Sequence, residues 1–125
     1  MYLVGYVYFM VEVDKRIPAF FFCLDSGAEP VRAWLKGLDR EDRRAIGEDI
    51  KTVEFGWPVG MLICRSIMSH KGLWEVRSAL SNKRIARVLF SISGGRMVLL
   101  HGFIKKTQRT PKSALDQAAR RMKKI

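Results

Sequence analysis

Two arginines occupy matching points of what read as neighbouring strands, Arg77 in the run Leu73–Leu80 and Arg87 in the run Arg84–Ser93. Alternation along a strand places Glu75 and Arg77 on one face of the first run, with Trp74, Val76 and Leu80 on the other. In the second run Ile85, Arg87 and Leu89 oppose Arg84, Ala86, Val88 and Phe90. A guanidinium set between apolar neighbours on an inner strand is costly unless it meets a carboxylate or a phosphate. Two readings of Arg87 follow: an internal ion pair with Glu75, or a phosphate-facing role, which the scarcity of acids in this half favours. A short link joins the two runs, so Arg77 and Arg87 could converge on one concave surface.

The next run, Arg96–Ile104, carries His101 and Phe103 on one face and leads into Lys105, Lys106, Thr107, Gln108 and Arg109. Cations beside an aromatic at a strand end suit a phosphate clamp with base stacking. His101, flanked by Leu99, Leu100 and Gly102, reads equally as a satisfied structural residue. Lys105 and Lys106 read equally as solvated charges, and the basic residues of 112–124 as the wet face of a helix.

Charge is divided along the chain. Residues 1–60 hold 8 Lys/Arg and 10 Asp/Glu, a net of −2. Residues 61–125 hold 15 Lys/Arg against Glu75 and Asp116 alone, a net of +13, and the halves sum to +11. A basic half of this kind is the footprint of a polyanion binder, and it falls on strand-like sequence rather than on a tail.

A chain of 125 residues with 48% hydrophobic content can bury a core as one domain. Cys23 and Cys64 have no metal-ligand spacing and read as buried free thiols in a reducing cytoplasm, the expected location. The apolar stretch 1–13 is shorter than the roughly 20 residues that span a bilayer, and it has neither the basic flank nor the cleavage site of a signal peptide. It reads as an added strand or a translated leader. The expected division is therefore an extension over residues 1–15 and a single domain over 16–125.

The elements follow from periodicity and turn chemistry. Residues 17–24 read as a buried strand, with Pro18 near its start. Pro30 opens a helix to about Gly37 with Val31, Trp34, Leu35 and Leu38 as its stripe, and Asp39 caps a second from about 40 to 54 through Ile46, Ile50 and Val53. Leu62–Met68, Leu73–Leu80, Arg84–Ser93 and Arg96–Ile104 form an antiparallel meander across short links. Pro111 opens a last helix with Leu115, Ala118, Ala119 and Met122 inward. The fold class is α+β: a curled, antiparallel-rich sheet with an N-terminal αα-hairpin on one face and a C-terminal helix.

No P-loop, no Gly-x-Ser-x-Gly elbow and no metal-ligand cluster occurs, and no cofactor is expected. Hydrolysis by paired carboxylates finds only Glu75 and Asp116 in the basic half.

The segments Gly72–Arg77, Arg84–Phe90 and Val98–Gln108, with Thr110-Pro111, resemble the phage-derived HigB-type branch of the RelE/ParE toxin superfamily. Glu29–Leu35 and Glu54–Gly56 fit the same pattern, and the resemblance covers about residues 17–124. It implies the toxin of a type II toxin–antitoxin module: a small basic RelE-like protein that cleaves mRNA on the ribosome without a metal and is neutralised by a helix-turn-helix, HigA-like antitoxin. By position it implies Arg77 and Arg87, with Lys105 or Lys106, as residues of RNA cleavage. Joined to the strand reading, the expected catalytic residues are Arg77, Arg87, Lys105 and His101, and the expected RNA-binding residues Arg84, Phe103, Lys106 and Arg109. Glu75 would act as a base or orient Arg77. The superfamily's usual late tyrosine has no counterpart. Two alternatives stay open: a non-enzymatic gyrase inhibitor in the ParE manner, and a non-toxic basic nucleic-acid-binding module. No membrane partner is implied.

Overall fold

The computed structural model describes residues 14–60, 63–107 and 109–125, and the backbone alone of residues 2–4 and 7–9. Ahead of residue 14, β1 (Tyr2–Val4) and β2 (Val7–Phe9) pair antiparallel with each other. The rest of the expected extension up to Val13, with Leu62 and Gln108, lies outside the described residues.

The remaining strands form one sheet in the order β3-β7-β6-β5-β4. They are β3 (Ala19–Phe21), β4 (Cys64–Ser66), β5 (Trp74–Ala79), β6 (Ile85–Ser93) and β7 (Arg96–Lys105). The meander β4 to β7 is antiparallel, as its short links require. Gly94 and Gly95, both at positive φ, close the β6–β7 hairpin in the two-residue turn that suits strand twist. β3 adds in parallel to the outer edge of β7, because the two helices that follow it carry the chain back across the sheet. Both outer strands are shorter than their apolar runs suggested: β3 occupies three residues of 17–24, and β4 three of 62–68. The link from β5 to β6 is a 3₁₀ turn, Ser81–Lys83, with Asn82 and Lys83 at positive φ, so Arg84 precedes β6.

Helices α1 (Pro30–Lys36) and α2 (Arg40–Gly56) form the hairpin. Asp39 stands at the α2 N-cap position without a side-chain capping bond. Ile46, Ile50 and Val53 pack with Val31 against Val76, Val88, Phe90 and Leu99 on one sheet face. The buried Glu54 carboxylate ties α2 to the start of β3: Oε2 accepts the Ala19 N–H at 2.7 Å and meets Lys15 Nζ at 3.0 Å. On the opposite face, α3 (Lys112–Met122) buries Ala114 and Ala118 against Leu73, Leu89, Leu100 and Phe22.

One irregularity decides which face the end of β7 presents. Leu89 pairs with His101 but Phe90 pairs with Leu99, so Leu100 is an extra residue, a β-bulge. Before the bulge Met97 and Leu99 face the αα-hairpin; after it Gly102 and Ile104 do. His101, Phe103 and Lys105 are thereby turned to the face that carries Arg87. Trp34 of α1 lies over Gly102 so closely that a Cβ there would stand 2.3 Å from the indole ring.

The cysteines correct one expectation. Both are free thiols, but Cys23 is exposed and only Cys64 is buried. Among the described residues no helix is long and apolar enough to cross a membrane.

Candidate nucleic-acid interface

Strand register sets the cationic side chains in rows on the α3 face. Arg65 of β4 pairs with Glu75, Glu75 with Leu89, and Leu89 with His101. In the next row Arg77 pairs with Arg87 and Arg87 with Phe103, and beyond it Ile85 pairs with Lys105. Arg77 and Arg87 are thus direct cross-strand neighbours, a like-charge pairing that works against the sheet unless anions offset it.

One anion is built in. Glu75 has no exposed surface, and its Oε1 stands 2.9 Å from Arg87 Nε and accepts from the Thr110 hydroxyl at 3.2 Å. Its Oε2 accepts from Arg65 Nε at 3.5 Å. Arg87 is likewise fully buried, and its Nη2 donates to the Thr107 carbonyl at 2.6 Å. Burial pulls the Arg87 guanidinium below its ordinary pKa; Glu75 opposes this, while the charges of Arg77 and Arg65 add to it. Neither Arg87 Nε nor Nη1 has a hydrogen-bond partner among the described residues, so Nε meets Glu75 as an ion pair.

Of the two readings of Arg87, the ion pair with Glu75 is therefore the one the structure displays, and the arginine does not present its head to solvent. Glu75, buried in an ion pair with Arg87 and accepting from Arg65 and Thr110, is not placed to act as a base. Together the two residues pin the segment after β7 through Thr107 and Thr110. Lys105, at the end of β7, and Lys106 and Arg109 after it are at the surface, while Arg77, across from Arg87, is half-buried.

Of the other expected site residues, one falls elsewhere and two share the face with partners of their own. Arg84 lies on the αα-hairpin face, where its Nη1 and Nη2 donate to the two Asp42 carboxylate oxygens at 2.8 and 3.0 Å. It is not with Arg77, and its role there is to fasten α2 to the start of β6. Phe103 is used inside the protein, its ring 5.9 Å from Arg87 Cζ and 5.9 Å from the His101 ring. His101 sits in the Glu75 row but with Leu89 between them, about 10 Å away at two strand spacings. Burial and the neighbouring Arg121 push its pKa down, so it is neutral at pH 7. Arg121 itself is turned inward, donating to the Leu100 carbonyl at 2.7 Å.

Two members of the cluster were not anticipated, Arg65 and Thr110. Arg65 alternates with the buried Cys64 on a short strand, a pattern too brief to single it out. Thr110 reaches Glu75 across 35 positions of chain, a tertiary contact without local signal. Among the described residues, no three His, Cys, Asp or Glu side chains are grouped so as to hold a metal ion.

Comparison with known proteins bears on this arrangement directly. The model of the family described as phage-derived protein Gp49-like (DUF891) matches residues 33–123, which include β4 to β7, α2, α3 and the whole cationic cluster. The chain belongs to this family. Gp49-like proteins are RelE/toxin-like, and the α+β architecture with its five-stranded mixed sheet agrees with a RelE-like fold. No curated protein matches the chain. Within this Gp49-like protein, β3 lies outside the matched span, yet it completes the sheet on which the cluster stands.

Proposed function

We propose that this Gp49-like protein is the toxin of a type II toxin–antitoxin module, of HigB type, and that it cleaves mRNA on the ribosome. The observation that carries the reading is Arg77 on the α3 face, beside a buried Glu75–Arg87 pair that anchors the segment exposing Lys105, Lys106 and Arg109. Cations gathered at one place stabilise a phosphodiester whose charge grows in the transition state.

The chemistry uses the substrate's own 2′-hydroxyl. Its oxygen attacks the adjacent phosphorus, the bond to the 5′-oxygen breaks, and a 2′,3′-cyclic phosphate and a 5′-hydroxyl result. Arg77 contacts the non-bridging oxygens. Arg87, buried, is a positioning residue: through Glu75 and the Thr107 carbonyl it holds the Lys105–Arg109 segment against the sheet. Proton transfer falls to Lys105, the exposed titratable side chain on the same face, since arginine stays protonated and Glu75 is fully engaged. Lys106 and Arg109 hold flanking phosphates. The ribosome orients the message and so supplies part of the barrier reduction. A helix-turn-helix antitoxin neutralises the toxin by covering this basic face.

The test is induction of the protein in growing cells followed by mapping of mRNA 5′ ends. Fragments beginning at defined codon positions are expected, and they vanish in Arg77→Ala while the folded protein accumulates. Growth arrest with intact message and a DNA-damage response would replace this reading by gyrase inhibition.

A further inference from the structure

Beside the cationic cluster lies a cleft of about 370 Å³, bounded by Arg65, Ile67 and Met68 on one side and Arg109, Thr110 and Leu115 on the other. Glu75 forms its inner end, two residues along β5 from Arg77 and so about 7 Å from it. The volume is at the low end of small-ligand sites: room for one nucleotide and far too little for a duplex.

We propose that this cleft is a nucleobase subsite, which takes one unstacked base of single-stranded RNA next to the scissile linkage. Deepening the nuclease reading above, it rests on that reading. Three features select the occupant. First, part of the lining is apolar: Ile67, Met68 and Leu115 offer surface on which an unstacked base can lie. Second, the rim is cationic. Arg65 shares the single carboxylate of Glu75 with Arg87, so the trio keeps a net positive charge, and Arg109 stands opposite at the surface. A purely apolar peptide has no use for that rim, whereas a nucleotide carries its phosphate there. Third, Met68 lines the cleft yet is 95% exposed, so its side chain is left uncovered by the fold. A flexible, polarisable thioether there can close over any base plane.

The experiment is a titration of the full chain carrying ¹³C-labelled methionine methyl groups, with the four nucleoside monophosphates and with ribose 5-phosphate. Nucleotides are expected to shift the Met68 methyl and to bind at least tenfold more tightly than ribose 5-phosphate. Met68→Glu should erase that tenfold difference. Equal binding of nucleotides and ribose 5-phosphate, or saturation without a Met68 shift, overturns the subsite. In cells, Met68→Glu redistributes mRNA ends among sites that differ in the flanking base, and an unchanged distribution likewise overturns it. If the wild-type protein cuts no message, the nuclease reading fails, while the titration still decides whether the cleft takes a base.

Discussion

Glu75 Oε1 stands 2.9 Å from Arg87 Nε, and neither side chain has exposed surface. Removing one member of such a pair leaves the other charged in the interior, which costs about 3–5 kcal/mol, whereas replacing both with apolar groups is far cheaper. The two single changes are not equivalent here. Arg87→Met leaves Glu75 with Arg65 and Thr110 as partners, while Glu75→Leu leaves the Arg87 guanidinium buried with no counter-charge. Urea denaturation should therefore rank Glu75→Leu as the more damaging, with the double variant recovering most of the loss. A double variant no more stable than Glu75→Leu would mean that the pair is not the source of the cost.

Toxicity should separate from stability along the same row. Arg77 is half-buried and on the proposed contact surface, so Arg77→Ala is expected to abolish growth arrest while moving the urea midpoint little. Arg87→Ala should lose both together. Midpoints and growth curves measured on the same two variants check this division; killing by a folded Arg77→Ala protein at the wild-type level contradicts it.

Gly102 and Trp34 make a second testable contact. A methyl at Gly102 would stand 2.3 Å from the Trp34 ring, on a central strand where neither backbone yields easily. Gly102→Ala should cost about 1–3 kcal/mol by overpacking, and Trp34→Val in the same chain should relieve most of it. Denaturant midpoints for the two singles and the double give the coupling. Additive losses would show that α1 simply moves aside.

What was legible in the sequence is what local periodicity encodes. The alternation of Trp74, Val76 and Ala86, Val88, Phe90 assigned the faces of β5 and β6, and Gly94-Gly95 marked the tight hairpin. The 3.6-residue stripe of Ile46, Ile50 and Val53 marked α2, and with it the α+β class. The bulge at Leu100 has no such mark, since the run Met97–Ile104 reads as an unbroken strand. Only pairing with β6 shows that one residue is surplus. The parallel seat of β3 and the fastening of Arg84 to Asp42, 42 positions apart, are likewise tertiary events. At the site, parity placed Arg77 and Arg87 together but could not say whether Glu75 or solvent would hold Arg87, because depth under α3 is a property of the whole fold.

Asp42 supplies the pH dependence. Hydrogen bonds from Arg84, aided by its charge, hold the Asp42 carboxyl below its ordinary value, against the opposing effect of burial. A carboxyl whose folded pKa is depressed stabilises the protein at all pH above its unfolded value of about 3.9, and that contribution is lost as pH falls through the folded value. Asp42→Asn should therefore be less stable than wild type at neutral pH, with the gap closing in acid below about pH 4. Urea midpoints across pH 2–7 for both proteins check the sign; a gap that persists in acid would place the loss in shape rather than charge.

The two thiols report on the edge of the sheet. Burial, with the charge of Glu75 adding to it, pushes the Cys64 thiol up to about 12, and Cys64 belongs to the outer strand β4. At pH 8 only about one Cys64 in ten thousand would be thiolate, the reactive form, whereas Cys23 is exposed. A thiol reagent added to the native protein should thus titrate one cysteine quickly, and the second only in denaturant. Because β4 is held on one side alone, the rate at which Cys64 reacts in native buffer measures how often that edge opens. Arg65 belongs to the same three residues, and the Ile67–Met68 side of the neighbouring cleft follows directly after them. Rapid native modification of both thiols would mean that β4 is not a stable wall, and slow modification of Cys64 would show that the cleft is held ready before any ligand arrives.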